Sequence, residues 1–239
     1  LVVLEPQAGV GPVIEPVETI ALPSSLDALA IAVGAVSGAL HARRRRMDLM
    51  GILVVSFCAA LGGGVIRDIL LVSGPPVFLT SPTFLLYAII GTVLGWAFSG
   101  LMSRASMLLE VIDGLFIGVW VLVGATKALS NGLGFGSAVL VAVITATGGG
   151  LLRDIFCGER PAVLLPGQWV AAAALVGACT FTGVFWTTGD LLVAQIGCIV
   201  VASAVRMVSA AFDLHTPMPM DLGRRWSHRP EALTHQSST

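Results

Sequence analysis

Two short elements in this chain combine conformational freedom with charge: Gly62-Gly63-Gly64-Val65-Ile66-Arg67-Asp68 and Gly148-Gly149-Gly150-Leu151-Leu152-Arg153-Asp154. Both lie within long apolar stretches. An ionisable residue at membrane depth costs at least about 2.5–3.5 kcal/mol on insertion scales, so four of them at two matching positions need partners. Each glycine disfavours a helix by about 1 kcal/mol relative to alanine and lets the backbone bend or unwind. The combination predicts a helix break inside the bilayer at each triplet, with a half-helix beginning beyond it. The N–H groups of such a half-helix favour an anion, and the freed carbonyls need protein or a water-lined cavity. The four charges sum to zero. A small zwitterion suits that centre, with its carboxylate towards Arg67, Arg153 and the half-helix ends and its ammonium towards Asp68, Asp154 and the carbonyls. A cation needs the arginines neutralised or swung away. Residues i and i+1 do not face each other on a helix, so the expected pairing runs across the two elements, Arg67 with Asp154 and Asp68 with Arg153. A structural role competes with this: glycines for close packing, and charges that only lock two halves together.

The elements that carry these residues follow from composition. Of 239 residues, 56% are hydrophobic and 11% charged, against roughly 25% charged in a soluble domain. Mean hydropathy is +0.92. Polar side chains are too few to cover a water-exposed globule, and a disordered chain is excluded for the same reason. The composition points to an all-α polytopic membrane protein. A spanning helix needs about 20 mainly apolar residues, and seven stretches qualify: 26–42, 48–70, 82–102, 109–129, 134–156, 167–187 and 190–212. The four cysteines form no CxxC pair, and the four histidines form no HxxxH or HExxH. No metal site and no cofactor are expected. A net charge of −1 gives no argument for nucleic acid.

Orientation follows from the distribution of arginine. Arg43–Arg46, Arg104, Arg160, Arg224, Arg225 and Arg229 all fall on one side if the spans alternate, and the loops of the other side hold no Lys or Arg. This predicts the N-terminus outside and the C-terminus in the cytoplasm of a bacterial inner membrane. Residues 1–25 carry Glu5, Glu15, Glu18 and four prolines. They lack the basic and apolar regions of a signal peptide and read as an extracytoplasmic acidic arm.

Shifting the chain by 86 residues aligns it with itself. Asp27 falls on Asp113, Gly38-Ala39 on Gly124-Ala125, Gly62-Gly63-Gly64 on Gly148-Gly149-Gly150, Arg67-Asp68 on Arg153-Asp154 and Pro75 on Pro161. Three spans fall in each unit. Three is odd, so the second unit enters the membrane from the opposite face and the repeats are expected to be inverted, as in many transporters. The expected organisation is the arm at 1–25, a three-helix repeat at 26–105, a second at 106–188, a seventh helix at 189–212 and a cytoplasmic tail at 213–239. Arm and tail are expected to be disordered.

Lys127 is the sole lysine. It reads either as a snorkelling interfacial residue or as a pore or gating charge. Asp27 and Asp113 open spans 1 and 4, either as dipole-stabilising carboxylates or at the mouth of a path. Gly34-xxx-Gly38, Gly91-xxx-Gly95 and Gly114-xxx-Gly118 are small-residue faces for helix packing. Trp96, Trp120, Trp169 and Trp186 read as packing or interface anchors. Arg206 lies within span 7, where it either snorkels or approaches the polar centre.

With its doubled GGGxxRD, an aspartate opening each unit and a seventh span, the chain resembles the bacterial membrane proteins built from two glycine-transporter domains. These are related to the trimeric intracellular cation channels (TRIC). The resemblance covers roughly residues 26–212. It implies a seven-helix inverted-repeat fold, a homotrimer with a pathway in each protomer, and pore-lining glycine breaks at Gly62–Gly64 and Gly148–Gly150. A span-4 lysine has a gating role in the channel relatives, and Lys127 is its match. The lysine-glutamate-glycine-asparagine-glutamate motif of the animal channels is absent.

No Schiff-base lysine lies in span 7, which excludes a retinal protein. No HExxH, GxSxG or GxxxxGK[ST] is present, so no catalytic residues are assigned and an enzyme is not expected. The expectation is a transport protein in the lipid bilayer for a small solute, glycine or a similar zwitterion, at the GGGxxRD breaks. A monovalent cation (potassium) channel is the alternative, and a structural or partner-binding membrane protein the second.

Overall fold

The computed structural model describes residues 24–99, 106–165 and 169–212. Among them the fold is all-helical: α1 (Ser24–Arg44), α2 (Leu49–Leu70), α3 (Val77–Thr80), α4 (Pro82–Ala97), α5 (Ser106–Ser130), α6 (Phe135–Phe156), a 3-10 turn (Ala162–Leu164), α7 (Val170–Thr188) and α8 (Leu191–Ala211). Apart from Ser24 and Ser25, the arm expected at 1–25 lies outside the described residues, as does the tail at 213–239. Among the described residues, α2, α6, α7 and α8 are long and apolar enough to cross a membrane.

Local chemistry sets the helix ends. The Asp48 carboxylate accepts from Gly51 N–H at 2.8 Å and opens α2. The Asp190 carboxylate does the same for α8, accepting from Leu192 and Val193 N–H at 2.9 and 3.2 Å. Such caps satisfy donors that the first helical turn leaves unpaired. Pro82 opens α4 at a position where no amide hydrogen is needed. Gly189 closes α7 in the left-handed region at φ 66°, a conformation glycine adopts without steric cost.

The helices form two groups joined at the centre. α1 packs on α2 and α4, while α5, α6 and α7 pack on one another and α8 covers α5 and α7. α2 lies against α6 and α1 against α5, joining the groups. Inside, the contacts are made by small residues. Gly38 meets Ser56 and Val55, Gly91 and Gly95 meet Ala32, Ala35 and Val36, and Gly118 meets Ile199. Outside, Leu86, Val93, Leu140, Ile196 and Val200 are exposed. Small residues within and large apolar ones without suit a lipid surround, where close backbone approach drives helix association.

The sequence expectation of a broken helix is corrected here. α2 runs without interruption through Gly62–Gly64, and α6 through Gly148–Gly150. Helix propensity is a weak preference that tertiary packing overrides, and the glycines lie where the two helices touch.

Candidate functional site: a glycine crossing between two charged mouths

The first two glycines of each triplet form the α2–α6 contact. A methyl group on Gly63 would collide with the Thr145 carbonyl oxygen, and one on Gly149 with the Ala59 carbonyl oxygen. One on Gly62 would come within 2.5 Å of Leu152 Cδ1, and one on Gly148 within 3.2 Å of Gly63 Cα. The third glycine serves its own helix. Positions for a Cβ on Gly64 and Gly150 face only the guanidinium Nη2 of Arg67 and of Arg153, at 3.8 and 3.9 Å.

A second correction concerns the charges. The cross-element pairs Arg67–Asp154 and Asp68–Arg153 are not formed. Arg67 Nη2 and Nε reach Asp68 Oδ1 at 2.8 and 2.9 Å, and Arg153 Nη2 and Nε both reach Asp154 Oδ1 at 2.9 Å. The long arginine side chain folds back over the bare third glycine and meets the neighbouring carboxylate from the side. Each carboxylate is fixed from beyond the helix end. Asp68 Oδ2 accepts from Val77 N–H at 3.1 Å, and Asp154 Oδ2 from Ala162 N–H at 2.9 Å. α3 and the 3-10 turn, absent from the hydropathy reading, begin at these amides. The Asp68 and Asp154 side chains are 2% and 5% exposed. Removing one partner from such a pair strands a buried charge, which costs more than the pair contributes.

Each pair is also touched by the opposite helix group. From α5, Lys127 Nζ lies 2.7 Å from Asp68 Oδ1. From α1, the Ser37 hydroxyl accepts from Arg153 Nη1 at 2.8 Å. One turn on, His41 Nδ1 donates to the Ser37 carbonyl oxygen at 2.8 Å. Ser37 and His41 were not among the residues picked out from the sequence. The signal was there, because the 86-residue shift puts His41 on Lys127. The side chains of Asp27 and Asp113 lie outside the described ones.

Two cavities flank the crossing. The larger, about 410 Å³, is lined by Ser37, His41, Arg44, Arg153, Asp154 and Arg206 among others. This settles the position of Arg206, which is buried and faces the polar cavity. The smaller, about 170 Å³, is lined by Gly64, Arg67, Asp68, Phe78, Trp120 and Lys127 among others. α1 and α2 are joined by a tight turn and run antiparallel. Their C-terminal ends, which carry His41 and Arg67, therefore mark opposite ends of the bundle.

A family model described as glycine transporter matches residues 24–100 and again 110–187. The chain belongs to this glycine transporter family. A UPF0126 membrane protein of Deinococcus radiodurans is 37% identical to it over 154 residues, covering 64% of this chain and 72% of that protein. The UPF0126 inner membrane protein YadS of Escherichia coli K12 is 33% identical over 193 residues, covering 80% and 93%. A structure from work on conductance through TRIC cation channels matches this chain with a TM-score of 0.77 at 28% identity, over 83% of this chain and 98% of its own. The trimeric intracellular cation channel orthologue from Rhodobacter sphaeroides matches at 0.75 and 29%, over 80% and 98%. The chain is thus a TRIC-like bacterial membrane transport protein.

Proposed function

We propose that the chain conducts a small monovalent cation such as potassium across the bacterial inner membrane, along the α2–α6 crossing. The observation that carries this reading is the state of the two arginines. A zwitterion site needs a free guanidinium and a half-helix N-terminus for the substrate carboxylate. Arg67 and Arg153 are each tied to the aspartate beside them, and both helices are continuous. Neutralised arginines are the condition a cation requires. The solved relatives named as cation channels speak for the same reading. The path would be lined by Gly62–Gly64, Arg67, Asp68, Gly148–Gly150, Arg153 and Asp154.

Lys127 supplies the latch. With Arg67 it gives Asp68 two cationic partners, so this mouth carries net positive charge and repels a cation. In the conducting state Lys127 leaves Asp68, and the carboxylate faces the ion. At the other mouth Arg44 is exposed, and water and salt screen it over about 8–10 Å, while Arg206, buried in the same wall, is held by a partner rather than free.

Two inverted three-helix units at 26–105 and 106–188, with a seventh spanning helix, account for the twofold family match and for the two Arg–Asp pairs of the same build. Arginine distribution favours an outside N-terminus and a cytoplasmic C-terminus. The trimeric state of the Rhodobacter sphaeroides relative favours a homotrimer.

Glycine transport is the second reading, favoured by the description of the matching family. Proteoliposomes of the purified chain separate the two. Potassium flux without saturable labelled-glycine uptake is the expected result. Saturable glycine uptake without ion flux overturns the proposal.

A further inference from the structure

We propose that Trp120 is the plug that separates the two cavities, and that it holds the path shut independently of Lys127. The larger cavity reaches in from the end marked by His41 and Arg153, the smaller from the end marked by Arg67 and Lys127. Among the described residues, Ala60 and Trp120 alone line both. Ala60 is 1% exposed and has no side chain beyond Cβ. Trp120 is half-buried and packs against the cluster of Ile31, Ala60 and Leu61. Among the described residues it is the one bulky side chain common to both walls.

Near Ala60 the larger cavity is also walled by Gly63 and Gly149, where α2 and α6 are in contact, and a glycine has no rotamer to change. The indole is the movable part. It is also supplied once. The 86-residue shift that places Arg153 on Arg67 places Trp120 on Gly34, and Gly34 lines the larger cavity with no side chain to extend. Of the two matching positions, one carries the largest side chain, and the other is held so close to α2, with an added Cβ 3.0 Å from Ala60 Cα, that it has room for none. An aromatic ring across a narrow neck excludes water, and dewetting at such a constriction stops ions without any charge. The path would then have two closures in series, an electrostatic one at Lys127–Asp68 and a steric one at Trp120.

This inference rests on the two cavities being one path, and its test is separate from the test of what flows. Val123 lines the smaller cavity, so Val123→Cys in a chain without its four native cysteines places a reporter beyond the plug. Right-side-out and inside-out membrane vesicles present the two ends in turn to a membrane-impermeant, positively charged thiosulfonate. From the His41 end, Trp120→Ala should speed labelling by about tenfold or more, equivalent to lowering a barrier by roughly 1.4 kcal/mol. Trp120→Phe, a gentler change, should fall between. From the Lys127 end all three chains should label alike, which reports an intact fold. Equal labelling from the His41 end in all three chains, with labelling from the Lys127 end retained, overturns the plug. Potassium flux is read in the same vesicles. Faster labelling without flux in any chain keeps the plug and removes the cation reading, while flux with unchanged labelling does the reverse.

Discussion

Adding one methyl group to Gly63, and separately to Gly64, distinguishes a packing role for the glycines from a hinge. Any glycine in a helix interior gains about 1 kcal/mol of helix stability on becoming alanine. At Gly64 nothing opposes that gain, because the new carbon lies 3.8 Å from Arg67 Nη2, an ordinary van der Waals distance. At Gly63 the methyl group strikes the Thr145 carbonyl oxygen. That atom belongs to the backbone of α6 and cannot rotate away, so the cost lies at the upper end of the roughly 1–3 kcal/mol typical of overpacking. After the helix gain, a net loss of about 2 kcal/mol remains. For a chain of this size 1 kcal/mol moves Tm by about 2–4 °C. Gly64→Ala should therefore raise Tm by about 2–4 °C and Gly63→Ala lower it by about 4–8 °C. The same contrast should separate Gly150→Ala from Gly149→Ala. Thermal unfolding of the purified protein in detergent reads all four, and potassium flux should survive Gly64→Ala. A hinge predicts the reverse, with the half-buried third glycine the sensitive one. Loss of flux or a lower Tm in Gly64→Ala, with Gly63→Ala neutral, would refute the packing argument.

Asp68→Asn should cost about 3–5 kcal/mol by leaving buried Arg67 without its carboxylate, with Lys127, which is 26% exposed, adding little. Asp154→Asn should cost less, because Arg153 keeps the Ser37 hydroxyl; denaturant midpoints rank the two, and equal costs would count against the assigned partners. Lys127→Met leaves the Arg67–Asp68 pair in place and, in a chain that also carries Trp120→Ala, should raise potassium conductance in planar bilayers above that of Trp120→Ala alone, whereas no rise would argue against a latch. Burial pushes the Cys157 thiol up from its ordinary range, with the nearby Glu159 charge adding to the effect. Since only the thiolate reacts, maleimide labelling of a chain retaining Cys157 alone should rise at a higher pH than labelling of a free thiol. A midpoint at the free-thiol value or below would contradict that environment.

Hydropathy alone located α2, α6, α7 and α8 to within three residues at each end, because a long apolar run in a chain of this composition has few other fates. α4 is shorter than its apolar stretch, ending at Ala97. The glycines misled because their local preference is visible in the sequence while their contacts are not. Thr145 and Ala59, the atoms that make Gly63 and Gly149 necessary, belong to the other helix of the crossing. The Arg–Asp partners were missed for a related reason. The rule that neighbours on a helix do not face each other holds for short side chains, and it fails where an arginine is long enough to fold back over the preceding turn and meet the carboxylate from the side. The Lys127–Asp68 contact joins residues of equally ordinary local sequence. By contrast, His41 and Trp120 were within reach of the 86-residue shift, which marks the positions where one half departs from the other.

The pairing of each arginine with its immediate neighbour also bears on how the chain enters a bilayer. A helix that delivers an unpaired charge costs about 2.5–3.5 kcal/mol at its centre. α2 and α6 each emerge from the ribosome with the counter-ion already attached one residue away, so neither has to wait for a partner helix before it can be integrated. Lys127 is different, because its carboxylate lies 59 residues upstream. By the time α5 is made, Asp68 has been delivered, and the lysine arrives to an acceptor already in place. A chain with its halves in the opposite order would present the bare lysine first.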